Sequence, residues 1–239
     1  MHHKGHDEKI ELFKTQPLGD INTYIEMANA NERRKILEDK WLSEHGYIKS
    51  YMQDNHIDAI RDIVSIMNAQ DLLWDLQELW VIDPYLRAND IIQTAFYCKK
   101  PDICIKALCA YATINGNREV KESVGFDGFE DFKNKEKELI ENVLGTKTDI
   151  HLEYRSVYNG HGVPFHDRYI ILKFGINKSR VWSLGASINA IGSTHSTIQI
   201  VEVPNQIIAL FEDLWTQTEC DECEIFNNML KEEENETPI

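Results

Sequence analysis

The sequence predicts an α/β protein in which a mixed β-sheet is flanked by helices and preceded by a helical N-terminal region. Short apolar stretches of strand length alternate with helical patterns between residues 79 and 144. Four more strand-like stretches crowd between residues 150 and 203, and a last amphipathic helix follows them. Alternating strands and helices place the helices on the faces of a sheet, and the crowded strands make that sheet mixed.

The N-terminal region has helical spacing. From about residue 8 to residue 77, apolar side chains recur every three or four positions. Asp20 and Asn31 can each cap a predicted helix, and a third helix is predicted from about Asp54 to Asn68. We expect residues 1–55 to form a helical region with a mobile start, because the first residues are polar.

The main domain is expected at residues 56–216, and its hydrophobic period changes at Leu79. The run Leu79–Ile82 ends at Asp83-Pro84 and predicts a buried strand. Further strands are predicted at Ile103–Cys109, Ile150–Val157, Tyr169–Phe174, Arg180–Leu184 and Thr197–Val203. Helices are predicted at 88–98, at Asp127–Leu144, and from Asn205, which would cap the last helix. Residues 217–239 form an acidic C-terminal segment.

Charge and composition limit the possible partners. The 239 residues hold 40 acidic and 25 basic side chains, a net charge of −15, which repels polyanions at long range. The excess of acidic side chains is unevenly distributed. Residues 146–203 carry six basic and four acidic side chains, whereas residues 205–239 carry one basic and ten acidic side chains. The net charge therefore excludes a protein that coats DNA without regard to sequence. It leaves room for a narrow, positively charged binding site.

The cellular location is also predicted from composition. No apolar run approaches the roughly 18 residues of a membrane-spanning helix, and the first residues lack the apolar core of a secretory signal. Five cysteines, at positions 98, 104, 109, 220 and 223, are an odd number for a disulfide scaffold. We expect a reduced, cytoplasmic protein that does not bind a membrane.

The most informative segment is His166-Asp167-Arg168, at the start of a predicted strand. Residues two apart on a strand project to the same side. An imidazole can attack phosphorus or move a proton, and a guanidinium can bind two phosphate oxygens at once. A histidine at a strand entry beside a solvated arginine is the alternative interpretation.

A second polar cluster follows the next predicted strand. Ser187 and Asn189 lie two apart in a turn of small residues, which lets a ligand approach the backbone closely. Their hydroxyl and amide groups can donate hydrogen bonds to an oxyanion. A hairpin around residues 175–178 would make the two strands antiparallel, so that His166 and Asn189 lie at the same end of the sheet.

These two elements resemble the motif of the phospholipase D superfamily. In that HKD-type motif, a His-x-Lys element on one strand is followed by a Gly-Ser-x-Asn turn after the next. Here His166-Asp167-Arg168 and Ala186-Ser187-Ile188-Asn189 stand in those places, and Trp80–Tyr85 is similar to the opening strand of bacterial members. The resemblance covers roughly residues 56–216. The sequence departs from the family at three points. Arg168 stands where lysine is usual, Lys173 stands where the family has aspartate, and the two halves of the motif are further apart along the chain.

The resemblance implies a metal-independent phosphodiesterase without a cofactor, acting as a nuclease on DNA or RNA. In the family one histidine forms a phosphohistidine and a second protonates the leaving group. Arg168, Ser187 and Asn189 would stabilise the transition state. The chain has one motif, so the resemblance implies a homodimer with a shared site. Bacterial single-motif members often serve in phage defence, which sets an antiviral context.

A catalytically degenerate module is the alternative. The departures at Arg168 and Lys173 and the acidic surface fit a relative that acts in assembly or regulation of a larger complex. The N-terminal helices could then bind a partner protein.

Other residues are candidates for substrate binding, each with a structural alternative. Asp83 and Tyr85 follow a strand, where α/β sites form, although Asp83 could equally end the strand or hold a backbone amide. His161, in a glycine-rich loop, and His195, in a turn, could line the site or serve the loop and turn alone. Glu202 ends the next predicted strand.

The pair Cys220 and Cys223 has C-x2-C spacing. One such pair cannot complete a tetrahedral zinc site, so no metal is expected, and two reduced cysteines are the favoured interpretation.

Overall fold

An eight-stranded mixed sheet with helices on both faces is formed by the residues that the computed structural model describes, namely 48–68, 75–116, 126–144, 150–175 and 178–229. They belong to one compact unit, Tyr47–Ile239. The strands are β1 (Ile48–Tyr51), β2 (Leu76–Ile82), β3 (Ile103–Ala110), β4 (Ile150–Val157), β5 (Tyr169–Phe174), β6 (Lys178–Leu184), β7 (Ser196–Ile200) and β8 (Glu224–Asn227). The helices are α1 (His56–Met67), α2 (Ala88–Gln93), a 3-10 turn (Ala95–Tyr97), α3 (Tyr111–Gly116), α4 (Phe129–Leu144) and α5 (Pro204–Gln217).

The strand order is β1-β7-β6-β5-β2-β3-β4-β8. Strands β2, β3 and β4 are parallel, and the remaining neighbours are antiparallel. Ile82 pairs with Tyr169, and Tyr169 pairs with Ser183, so β2 and β6 end where β5 begins. We call this the carboxyl edge. The predicted α/β class with a mixed sheet is confirmed.

The core lies on both faces of the sheet, because successive strand residues point to opposite sides. On one face, Phe211 and Trp215 of α5 pack on residues such as Trp80 and Leu108. On the other face, the Tyr154 hydroxyl donates to the Leu86 carbonyl just before α2, which in turn packs on α4. Strand β2 is therefore buried on both sides, as its continuous apolar run predicts.

Several boundaries differ from the sequence-based predictions. Residues 48–51 are a strand paired with β7, so the prediction of helix from residue 8 to residue 77 is wrong there. Four residues are too few for a period to be read, and long-range pairing decides their conformation. The predicted helix at 88–98 stops at Gln93 and resumes as a 3-10 turn. The helices expected before residue 48 lie outside the described residues.

The last helix begins two residues earlier than predicted. Pro204 is its first residue and Val203 takes the N-cap position, so Asn205 does not cap it. Proline suits this place because its fixed φ matches a helix and its missing N–H costs nothing there. Strand β7 ends at Ile200, and the C-terminal segment, expected to begin at residue 217, contains β8, whose Ile225 and Phe226 are buried.

In the part of the chain that the structure describes, every helix falls short of the length and apolarity that crossing a bilayer requires.

Candidate active site

A buried carboxylate joins the end of β2 to the turn that follows β6. Asp83 comes directly after β2 and is completely buried. One of its oxygens accepts hydrogen bonds from the Tyr85 N–H and the Ser187 hydroxyl, both at 2.9 Å. The other accepts the Ile188 N–H at 2.8 Å. Asp83 therefore holds backbone amides, which is one of the two roles considered for it. Because its carboxyl group is buried, it does not reach a ligand.

Arg168 is fixed by the same carboxylate through Ser187. Its Nε donates to the Ser187 hydroxyl oxygen at 3.0 Å and lies 3.8 Å from the Asp83 carboxylate. Its guanidinium carbon is 5.7 Å from the centre of the Tyr85 ring. Among the described residues, none accepts a hydrogen bond from the two terminal nitrogens of Arg168. The guanidinium is thus held by one side while its donor fork is open.

The charge on this cluster is balanced locally. Burial raises the pKa of Asp83, whereas the hydrogen bonds from Tyr85, Ile188 and Ser187 and the positive charge of Arg168 act to lower it. Ser187 gives its only hydrogen to Asp83 and accepts the Arg168 N–H, so this serine orients the arginine and has no hydrogen left for an oxyanion.

Asn189 points its amide group at the protein. Its Nδ2 lies 3.3 Å from the Tyr85 carbonyl oxygen and 3.5 Å from an Asp90 carboxylate oxygen. Each of the two amide hydrogens therefore has an acceptor within the chain. The residue itself is exposed, at the same edge as Arg168.

Asp90, on α2, is part of the cluster and was not found from the sequence. The Asp90 oxygen Oδ2, which lies 3.5 Å from Asn189 Nδ2, also accepts a hydrogen bond from the Arg87 N–H at 3.0 Å. Burial raises the pKa of Asp90 to about 7; the Arg87 hydrogen bond opposes this, and the nearby Asp83 charge adds to it. An acid three residues after a helix cap is a visible sequence signal, but its place beside Asn189 is set by tertiary structure.

Behind the cluster, an ion pair fixes the start of α2. Arg87 donates to one oxygen of Glu136 through Nε at 2.9 Å and Nη2 at 2.6 Å. The other oxygen of Glu136 accepts the Ala88 N–H. Glu136 is buried on α4, so helix α4 sets where α2 and Asp90 lie.

The turn that carries Ser187 is also held from outside the sheet. The Asn55 N–H donates to the Gly192 carbonyl at 2.9 Å, and the His56 ring nitrogen Nδ1 lies 2.7 Å from the Ile191 carbonyl oxygen. Gly192 has a φ of +75°, and a Cβ there would lie 2.6 Å from the Asn55 backbone. Only glycine fits this position, which brings the start of α1 against the turn.

His166 lies in the extended segment before β5 and is exposed. The strand begins at Tyr169, as predicted, and the segment before it is fixed on both sides. The rings of Phe165 and Tyr169 each lie 5.6 Å from the ring of Phe211 on α5. No described residue forms a hydrogen bond with the His166 imidazole.

The remaining candidates are not drawn into this cluster. His161 lies 3.7 Å from the Glu222 carboxylate, in the turn before β8. His195 is exposed in the turn before β7, at the carboxyl edge. Glu202 is exposed beyond the end of β7, towards the opposite edge, because β7 runs away from the site. The structure therefore groups Asp83, Tyr85, Arg168, Ser187 and Asn189.

The cysteine pair lies between α5 and β8. Cys223 is buried, and its carbonyl accepts the Ser156 N–H at 2.8 Å. Burial, followed by the hydrogen bond with Cys220, raises the pKa of Cys223 to about 12. Both cysteines are free thiols.

Comparisons with known proteins give only distant likenesses. No known family model matches the sequence, and no curated protein is significantly similar to it. Among solved structures, polyphosphate kinase from Porphyromonas gingivalis is 12% identical with a TM-score of 0.41, covering 72% of this chain and 22% of the kinase. NucT from Helicobacter pylori is 13% identical with a TM-score of 0.40, covering 75% of this chain and 99% of NucT. TrmBL2, an archaeal chromatin protein, is 10% identical with a TM-score of 0.34, covering 82% of this chain and 64% of that one.

Proposed function

We propose that this protein is a metal-independent phosphodiesterase that cleaves nucleic acid, DNA or RNA, at the cluster around Arg168. One observation carries the proposal: the Arg168 guanidinium is fixed through Nε by Ser187 and Asp83, and no described residue accepts a hydrogen bond from its two terminal nitrogens. The exposed His166 lies two residues before it in the chain. A guanidinium fixed on one side binds two oxygens of a phosphodiester without losing further side-chain freedom.

The chemistry follows from these two side chains and their resemblance to the phospholipase D motif. With the phosphate held by Arg168, an unprotonated nitrogen of His166 attacks phosphorus, a P–N bond forms and the bond to the leaving oxygen breaks. A second imidazole, protonated, gives its proton to that oxygen. It then takes a proton from water as the water oxygen attacks phosphorus and the P–N bond breaks. Both imidazoles return to their starting states.

The second imidazole is assigned to a second copy of the chain. His161 lies 3.7 Å from the Glu222 carboxylate, and no hydrogen bond or ion pair among the described residues joins another histidine to Asp83 or Arg168. A homodimer with a two-fold axis near His166 would supply the missing group from the partner.

Nucleic acid is favoured as the substrate by the distribution of charge. The segment 146–203, which carries Arg168 and Ser187, has a net charge of +2 within a chain of −15. One open guanidinium in an acidic protein suits a single phosphodiester in a narrow slot and not a long duplex track. A role in phage defence comes from the family resemblance alone.

A non-catalytic module is the second candidate, and one observation favours it. Lys173, which stands where the family has aspartate, is paired with Glu212 at 2.9 Å and lies 3.5 Å from Glu78. It offers nothing to orient His166. A relative with this substitution could keep the anion-binding fork and lose turnover.

Cleavage assays with matched histidine variants separate the two candidates. Purified protein is incubated with EDTA and with labelled single- and double-stranded DNA and RNA, and with bis-p-nitrophenyl phosphate. The enzyme predicts cleavage that persists in EDTA and falls by at least about a thousandfold in His166→Ala. His151→Ala, at the end of β4 away from the carboxyl edge, is the control and should retain cleavage. Absence of cleavage of every substrate, or full activity of His166→Ala, would overturn the enzyme.

A further inference from the structure

The side-chain amide of Asn189 has a fixed orientation. Its Nδ2 lies 3.3 Å from the Tyr85 carbonyl oxygen and 3.5 Å from Oδ2 of Asp90. A carbonyl oxygen can only accept a hydrogen bond, and Oδ2 of Asp90 already accepts one from the Arg87 N–H at 3.0 Å. Turning the amide over would set Oδ1 of Asn189 against these two oxygens, with no hydrogen between it and the Tyr85 carbonyl. The amide nitrogen therefore faces the protein.

The amide oxygen is consequently an open acceptor. No described residue donates a hydrogen bond to Oδ1 of Asn189, and the residue is exposed at the carboxyl edge. The two amide hydrogens that could bind a phosphate oxygen are both directed at the protein. A phosphodiester oxygen carries negative charge and no hydrogen, so an outward-facing amide oxygen repels it. Asn189 therefore offers the substrate a neutral acceptor, which selects a group that carries a hydrogen-bond donor.

This acceptor belongs to the same small group of residues as the proposed phosphate-binding side chain. Asn189 and Arg168 both approach Tyr85, the first at its carbonyl oxygen and the second with its guanidinium carbon 5.7 Å from the centre of the ring. Both also meet in one turn, because Arg168 Nε donates to Ser187, two residues before Asn189. The neutral groups next to a phosphodiester bound by Arg168 are its two sugars, so a sugar is the natural partner of this acceptor.

We propose that Oδ1 of Asn189 accepts a hydrogen bond from the ribose 2′-hydroxyl next to the bound phosphodiester, which makes RNA the preferred substrate. The 2′-hydroxyl is a donor on the carbon adjacent to the one whose oxygen is bonded to phosphorus, and DNA lacks it. Base N–H donors differ from base to base and lie further from the phosphate. The inference rests on the proposed function, whose substrate it narrows from nucleic acid to RNA, and it makes Asn189 a specificity-determining residue.

Binding to a variant that does not turn over its substrate tests the acceptor directly. Labelled single-stranded RNA and DNA of the same sequence are titrated with His166→Ala in EDTA, and the two dissociation constants are compared. One additional neutral hydrogen bond should make RNA bind about three- to tenfold more tightly than DNA. RNA with 2′-fluoro sugars keeps a small electronegative atom and has no hydrogen to donate, so it should bind as weakly as DNA.

Replacing the acceptor should remove the preference. With Asn189→Ala added to His166→Ala, RNA binding should fall to the level of DNA binding, and DNA binding should change by less than about twofold. Asn205→Ala, at an exposed asparagine in the first turn of α5, is the matched control and should keep the full preference. Equal binding of RNA and DNA by His166→Ala, or a preference that survives Asn189→Ala, would overturn the proposal. Tight binding of 2′-fluoro RNA would overturn it as well, because the preference would then come from the shape of the sugar.

Failure of the acceptor and failure of the proposed function give different results. If wild type cleaves nucleic acid in EDTA while His166→Ala binds RNA and DNA equally, the specificity falls and the phosphodiesterase stands. If wild type cleaves nothing while an RNA preference depends on Asn189, the chemistry falls and the acceptor stands as the recognition group of a non-catalytic module. If neither nucleic acid binds, both the acceptor and the proposed substrate fall.

Discussion

Ser187 donates its hydroxyl hydrogen to the Asp83 carboxylate at 2.9 Å, and the direction of this bond decides what the site can do. Because the hydroxyl hydrogen is already donated to Asp83, the Ser187 oxygen can only accept a hydrogen bond, and it accepts one from Nε of Arg168. A buried negative charge thus sets the orientation of an open positive one through a single hydroxyl group. The residues around the proposed phosphate position are therefore fixed before any ligand arrives.

Replacing Asp83 with asparagine should destabilise the fold. The amide has the shape of the carboxyl group but turns one acceptor into a donor, which would face the Ile188 N–H or the Ser187 and Tyr85 donors. We expect the free energy of unfolding, measured in urea, to fall by about 2–3 kcal/mol. Asp167→Asn, at an exposed site in the neighbouring loop, should change it by less than about 0.5 kcal/mol. Equal effects of the two changes would contradict the role given to Asp83.

Arg168→Lys should lose the proposed activity although it keeps the charge and restores the residue that is usual in the motif this segment resembles. Lysine has one nitrogen, which cannot both donate to Ser187 as Nε does and present a two-donor fork to phosphate. We expect the cleavage rate to fall by about ten- to a hundredfold with thermal stability almost unchanged. Arg61→Lys, on the exposed face of α1, is the matched control. Full activity of Arg168→Lys would show that charge alone suffices.

Asp90 should make stability depend on pH near neutrality. Its pKa is raised to about 7 by burial, so the folded protein keeps this proton at pH values where the unfolded chain has released it. The contribution of Asp90 to stability is therefore present below about pH 4 and is lost as the pH rises to about 7, a change of a few kcal/mol at most. Asp83 and Glu136, both acidic, and Arg87 are the charged groups that face it.

The measurement is the free energy of unfolding across this pH range in wild type and Asp90→Asn. The variant cannot ionise at this position and should have a flatter profile, which makes it relatively more stable near pH 8. Asp58→Asn, on the exposed side of α1, should retain the wild-type slope. If Asp90→Asn kept that slope as well, another group would be responsible.

Lys173→Ala should leave cleavage unchanged. The ammonium group lies among Glu78, Glu212 and the Trp80 ring, towards the middle of the sheet and away from the carboxyl edge. We expect activity within about twofold of wild type and a stability loss of about 0–1 kcal/mol, typical of a half-exposed ion pair. Lys178→Ala, in the same hairpin, is the comparison. A large loss of cleavage by a fully folded Lys173→Ala would place this lysine in the reaction.

Much of the sheet could be predicted because its strands are long and apolar. Strands β2, β4 and β5 each hold enough buried residues for a period to be recognised. Strands β1 and β8 have four residues each and are fixed by pairing with distant partners, β7 and β4. Local sequence carries little information about such edge strands.

The grouping of Arg168 with Ser187 and Asn189 was predictable from the hairpin, since antiparallel neighbours bring the start of one strand beside the end of the next. The place of Asp83 was predictable as a strand end, but its role depends on burial. Asp90 and Glu136 act through tertiary contacts between α2 and α4, which no local pattern encodes. His161 precedes the motif by five residues and yet turns to Glu222, so nearness in sequence was misleading.

The distance along the chain between Asp83 and Ser187, 104 residues, has a consequence for biosynthesis. Contacts of such long range form late, because the chain between them must first be ordered. During translation, β2 leaves the ribosome well before β5 and β6, and Arg168 has no fixed direction until the turn after β6 meets Asp83. In a nascent chain the Arg168 guanidinium therefore has no fixed orientation until β6 and the turn after it have emerged.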